Sequence, residues 1–177
     1  VLPYFNKMET ALGSEPNDPR RGHNGPLVLT RGPATSPLFQ AFFESVQQAG
    51  YNLTNDVNGY RQEGFAPFDR NIFKGKRLSA ARAYLHPVLD RKNLDVRTRA
   101  FTTRILFDGE TATGVEYEWK GAKRRVYADK VILCGGAINT PQLLQLSGVG
   151  DRDHLEKLGI NVVKHLPGVG ENLQDHL

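Results

Sequence analysis

Apolar residues along the chain follow two different rhythms, and the change comes near residue 91. In the first part the spacing is helical or irregular. Leu2, Phe5, Met8 and Leu12 recur at three- and four-residue steps, which predicts a short helix over 1–12. Residues 13–26 are polar and dense in the turn formers Gly, Pro, Asn and Asp. Pro26-Leu27-Val28-Leu29-Thr30 predicts a strand. Ser36 then offers an N-cap and Pro37 suits the first helical position. Leu38, Ala41, Phe42, Ser45, Val46 and Ala49 share one face of that helix, and Gly50 supplies its stop. Residues 51–75 return to loops with one short strand near Phe65, and 78–89 form a helical stretch interrupted by Pro87.

Beyond Asn93 the rhythm becomes that of strands. Residues 94–98, 101–107, 113–119 and 124–128 are predicted strands, with turns at Asp108-Gly109 and Lys120-Gly121. Lys130 to Cys134 is a short apolar run, as expected of a strand buried on both faces. It leads into Gly135-Gly136, after which Thr140 is a predicted N-cap and Pro141 the first residue of a helix bearing Leu143, Leu144 and Leu146. A β-meander, a buried strand, a glycine turn and a helix make the fold α/β with mixed α+β character.

Composition narrows the classes without choosing among them. At 177 residues, 39% hydrophobic and 24% charged, the chain is neither disordered nor fibrous, and no apolar run reaches the roughly 20 residues of a bilayer span. The formal charge of +4 comes from scattered residues. The densest group, Lys123-Arg124-Arg125 after Lys120, reads as a solvated hairpin tip, so nucleic acid is not an expected partner. Cys134 has no partner for an internal disulfide, and the opening Val-Leu-Pro-Tyr-Phe has no initiator Met, basic segment or cleavage site. These features predict an intracellular protein, cytoplasmic or peripheral to an inner membrane, and a chain that is a piece of something longer. His23, His86, His154, His165 and His176 have no metal-ligand spacing. Phe39, Phe42 and Phe43 are expected in the core, and Glu63 is expected to be solvated.

The junction Cys134-Gly135-Gly136-Ala137-Ile138-Asn139-Thr140-Pro141 places glycines where backbone must turn and come close to a ligand. A helix start there would present free N–H groups to a phosphate, although many such junctions bind nothing. The longer string from Gly136 to Gly150, with Pro141, Ser147, Gly148 and Gly150 at fixed places, resembles the second signature of the glucose–methanol–choline (GMC) oxidoreductases. These are FAD-dependent enzymes that oxidise alcohols. Leu166 to His176 is similar to the next block of that family. Asn58 to Phe65, Arg77 to Pro87 and Asn93-Leu94 resemble its choline dehydrogenase branch. The resemblance spans essentially the whole chain.

That resemblance implies a Rossmann-like FAD-binding domain with a β-meander in residues 92–177, and part of the substrate-binding domain in 1–91. It implies FAD as cofactor and a small alcohol, choline, as substrate, oxidised to betaine aldehyde by hydride transfer. It places Gly135, Gly136, Ala137 and Thr140 beside the flavin and the backbone of Thr102 at the adenine. Asn172 and Asp175 fall on the segment passing the flavin, and His176 becomes a candidate cavity-lining residue. Ser147 and its neighbouring glycines read as structural.

Two family requirements are absent from these 177 residues: the Gly-x-Gly-x-x-Gly that receives the FAD pyrophosphate, and the catalytic His paired with Asn or His. Gly168-Val-Gly170 and Gly148-Val-Gly150 lack the third glycine and read as turns. No catalytic residue is therefore assigned in the chain, and by itself it is expected to be inactive. Two other readings fit the same residues: a GMC enzyme acting on another alcohol, or a non-catalytic binding or structural domain. The electron acceptor is unspecified, and membrane association of the parent stays open.

Overall fold

The computed structural model describes residues 1–176, which divide into two compact units, Val1–Val96 and a second that starts at Arg97. The division falls five residues beyond the change of pattern near residue 91.

Unit 1 begins with α1 (Leu2–Met8), which ends four residues before the pattern predicts because Glu9 turns extended and starts β1 (Glu9–Ala11). β1 pairs in parallel with β2 (Leu27–Arg31). Helix α2 (Pro37–Gln48) follows the pattern closely: the Ser36 hydroxyl accepts from Leu38 N–H, and Gly50 takes φ +81° after the last turn. β3 (Asp69–Arg70) adds antiparallel to β2, and β4 (Ile72–Phe73) forms a hairpin with β5 (Lys76–Arg77). Near Phe65 only a single bridge to Leu53 forms. The stretch 78–89 becomes a π-helical turn (Ala81–Leu85) and a 3-10 turn (His86–Val88), since Pro87 cannot continue an α-helix. Val46, Ala66 and Ala83 are buried. The Phe39-Phe42-Phe43 group is not in the core as expected; Phe39 and Phe42 are about half exposed.

The centre of unit 1 is ionic. Arg21 is only 3% exposed. Its Nε donates to Glu9 Oε1 at 2.8 Å and its Nη2 to Asp69 Oδ2 at 2.8 Å, while Nη1 donates to Asp56. Arg31 Nε reaches the other oxygen of Asp69 at 2.6 Å, and its Nη2 lies 3.2 Å from Asp56 Oδ2. Burial alone would raise the Asp69 carboxyl, but hydrogen bonds from Arg31 and Arg21 outweigh it and hold the group below its ordinary value. Burial likewise opposes the charge on Arg21, and the bonds to Glu9 and Asp69 overcome it, raising that guanidinium further. This network ties β1, β3 and the loop at Asp56 together.

Unit 2 opens with an antiparallel meander, β6 (Phe101–Asp108), β7 (Thr111–Trp119) and β8 (Ala122–Tyr127). Residues 94–98 form no strand, so the meander has three strands rather than four. Lys123, Arg124 and Arg125 lie along β8, not at the hairpin tip, which is Lys120-Gly121. Cross-strand pairing explains their tolerance: Arg125 faces Glu116, whose carboxyl its hydrogen bond pulls below the ordinary value. Trp119 donates from Nε1 to Thr98 O at 3.3 Å, and Lys120 Nζ, Arg124 and Arg97 stand 4.4, 5.3 and 6.0 Å from its ring.

The predicted strand at 130–134 is absent; Ile132 is 82% exposed. A strand exists only through hydrogen-bonded partners, and no described strand lies beside this run. The helix after it, α3 (Gly136–Leu146), starts earlier than predicted, with Gly135 at the cap position and Pro141 inside. Ser147 ends it and is structural, as expected. Its hydroxyl donates to Leu143 O at 2.6 Å and accepts from Ile105 N–H of β6 at 2.8 Å. The chain then forms β9 (Val149–Gly150), where only a turn was expected. After α4 (Arg152–Lys157), β10 (Lys164–His165) pairs with β9 in parallel. Leu155, fully buried, fills the space beneath.

Candidate functional site

Helix α3 separates two grooves of unit 2. The first, about 670 Å³, is lined by Phe101, Thr102 and Thr103 of β6, by 132–135, and by Asn139, Thr140 and Leu143 of α3. The second, about 590 Å³, is lined by Ala137, Ile138 and Pro141 of α3 and by the segment 170–174. Gln142 reaches both.

Backbone geometry shapes the first groove at its glycine end. A side-chain carbon on Gly135 would lie 3.1 Å from Thr140 Oγ1 and 3.2 Å from Thr140 N, closer than side chains normally pack. Gly135 N–H donates to Thr140 Oγ1 at 3.0 Å, so the threonine closes the loop from five residues on. Gly136 follows with φ +83°, a conformation that costs other residues free energy. The result is a tight turn with little side-chain bulk, bordered by exposed Ile132 and Ile138. Phe101, Ile132, Leu133, Leu143 and Leu146 give the groove apolar walls, and Thr102, Thr103, Asn139, Thr140 and Gln142 place polar groups among them. That mixture suits a flat ring system with polar edges.

In the second groove, Gln145 Nε2 donates to Val169 O at 3.0 Å and thereby fixes the turn that leads to Asn172. Asn172 itself has φ +56°.

The GMC oxidoreductase family profile matches residues 1–177, the whole chain. This chain belongs to the GMC oxidoreductases. Two curated relatives, the oxygen-dependent choline dehydrogenases of Staphylococcus xylosus and Staphylococcus haemolyticus, are 60% and 59% identical to it over 176 residues. The matches cover 99% of this chain and 31% of each relative, so the chain spans about a third of their length. Among solved structures, an FAD-dependent oxidoreductase from Chaetomium thermophilum is 33% identical with a TM-score of 0.86, covering 98% of this chain and 32% of that one. A pyridoxine 4-oxidase from Mesorbium loti is 32% identical with a TM-score of 0.85, covering 94% and 33%. The mixed α/β architecture of the GMC oxidoreductases is therefore present here.

Within this GMC oxidoreductase chain, the expected site residues do not gather at one place. Thr102, Gly135 and Thr140 line the first groove; Ala137 and Asn172 line the second. Gly136 forms the turn at the head of α3 and lines neither groove. Asp175 and His176 lie in neither, and their exposed side chains pair only with each other among the described residues, His176 Nδ1 to Asp175 Oδ1 at 2.9 Å. Gln142 and Gln145 were not anticipated as lining residues. Their three-residue spacing inside the signature string was the available signal, since it places both on one side of a helix. No group of acidic, His or Cys residues could hold a metal among the described residues, and no described helix is long and apolar enough to cross a membrane.

Proposed function

We propose that this chain is the central part of an FAD-dependent GMC oxidoreductase that oxidises choline to betaine aldehyde. On this reading unit 1 contributes to its substrate-binding domain and unit 2 to its flavin-binding domain. The observation that carries the flavin assignment is the first groove, where Thr102, Gly135 and Thr140 meet against apolar walls. Choline is favoured over other alcohols by the identity of about 60% to choline dehydrogenases across 99% of the chain.

When bound, FAD supplies the acceptor for a hydride from the alcohol carbon. The chain's own residues bind and orient. Thr102 offers backbone groups of β6, Gly135 allows close approach, and Thr140 fixes the turn through the Gly135 N–H. The shared groove supports assigning all three to the same end of an extended FAD, a change from dividing them between adenine and flavin. Ile132 and Leu133 offer apolar contact at that end, and Asn172 with Gln142 offers amide groups on the other side of α3.

Three outcomes are expected. In the full-length flavoenzyme, Thr140→Val removes the acceptor of the Gly135 N–H and weakens FAD retention by up to about tenfold, the effect of one lost hydrogen bond, whereas Thr140→Ser restores it. The flavin-to-protein absorbance ratio after desalting measures this. The 177-residue chain alone, mixed with FAD, choline and a dye acceptor, is expected to give no turnover. For the full-length enzyme, choline should bleach the flavin anaerobically faster than any member of a panel of simple alcohols. Preference for another alcohol would move the reading to a different GMC substrate.

A further inference from the structure

Unit 1 holds a cavity that none of these roles uses. Its volume of about 600 Å³ lies in the range of small-molecule sites. Five phenylalanines converge on it: Phe39, Phe42 and Phe43 from α2, and Phe65 and Phe68 from the loop before β3. The rings meet edge on, with Phe42–Phe43 centroids 5.6 Å apart and Phe42–Phe65 centroids 5.8 Å apart. Each edge-to-face contact covers one face of one ring only, so other faces remain for an apolar guest. Within this chain Phe39, Phe42 and Phe68 keep about half or more of their surface uncovered.

Charge selects the class of guest. No Asp or Glu lines the cavity, and its one ionised lining residue is Arg70 of β3. A carbon built on Gly32, which also lines the cavity, would lie 3.7 Å from Arg70 Nε and 3.9 Å from Cζ. The guanidinium therefore stands at the Gly32 end. Arg70 makes no ion pair among the described residues. The twelve-residue α2 is capped by Ser36 in the same wall, and its positive end adds to that sign. A quaternary ammonium, which aromatic faces attract, would meet a like charge here and no carboxylate.

We propose that this cavity binds an apolar carboxylate, with its hydrocarbon or aromatic body among the five phenylalanines and its carboxylate on the Arg70 guanidinium. The planar fork of arginine matches a carboxylate through two parallel hydrogen bonds.

Amide NMR titration of the full-length flavoenzyme with phenylbutyrate tests this, with phenylbutanol and benzyltrimethylammonium as neutral and cationic controls. Phenylbutyrate is expected to shift amides in 32–43 and 64–70, and Arg70→Gln to weaken its binding about tenfold. Phenylbutanol should bind more weakly and equally to both forms. Arg70→Lys, which keeps the charge without the fork, should retain part of the affinity. The proposal is overturned if shifts map elsewhere or do not appear, if Arg70→Gln binds phenylbutyrate as the parent chain does, or if the ammonium binds more tightly. Equal losses in the Lys and Gln variants would also overturn it, because the charge would then have no part in binding.

Discussion

Replacing Arg21 by methionine is expected to destabilise unit 1 by about 3–5 kcal/mol, the range for removing one partner from a buried ionic network. The arginine is almost wholly buried and bonds to three carboxylates, those of Glu9, Asp56 and Asp69. Without it, Arg31 alone faces Asp56 and Asp69, and Glu9 keeps only the Gly22 N–H at 3.0 Å. The loss follows from burying unpaired charge, so a methionine of similar length does not compensate. Hydrogen exchange of amides in Glu9–Ala11 and Asp69–Arg70 would report it, because these strands are clasped by the network. Unchanged protection would show that the network contributes little.

The same network sets an acid limit. The Asp69 carboxyl is held below its ordinary value of 3.8 in the folded chain. A depressed carboxylate stabilises the fold fully above that ordinary value, and the contribution is lost as pH falls through the lower folded value. Stability of unit 1 is thus expected to be level at neutral pH and to fall below about pH 4, with Asp69→Asn flattening that slope.

Gly148→Ala is the second large effect, expected to cost unit 2 about 3 kcal/mol or more from backbone strain and overpacking combined. Gly148 has φ +91°, and an added Cβ would sit 2.3 Å from Asn161 O and 3.0 Å from Val163 Cγ2. Retreat is blocked, because Gly148 O accepts from Val163 N at 2.7 Å and Lys164 N at 3.1 Å, the bonds that seat β10. Gly159→Ala is the control. It shares a positive φ of +72° but has nothing within 4 Å, so it should cost only the backbone strain of about 1–2 kcal/mol. Thermal unfolding of the two variants separates collision from strain, and equal losses would refute the collision.

What could be read from the sequence was local. Helix α2 was legible at both ends because Ser36, Pro37 and Gly50 act through their immediate neighbours. The β7 strand and its turns were legible for the same reason. The strand at 130–134 was not, since hydrophobicity signals burial while pairing needs partners elsewhere in the fold. The start of α3 was misplaced because Thr140 does cap an amide, but that of Gly135 behind it rather than one ahead. Nothing local marks Arg21 as a centre: its partners lie at positions 9, 56 and 69, and its neighbourhood reads as a polar loop. The signature string located α3 and its groove, yet the division of its residues between two sides of the helix depends on which segments pack there.

Trp119 is the only tryptophan of the chain and stands at the end of the unit 2 meander, under three cationic side chains and bonded to Thr98 O. Its fluorescence consequently originates in that unit. Emission will follow the meander as it opens, because the ring then leaves these cations and the Thr98 carbonyl. Four of the six tyrosines, Tyr4, Tyr51, Tyr60 and Tyr84, sit in unit 1. Following both signals through one thermal scan therefore reads whether the two units melt together or apart, a distinction that circular dichroism would merge.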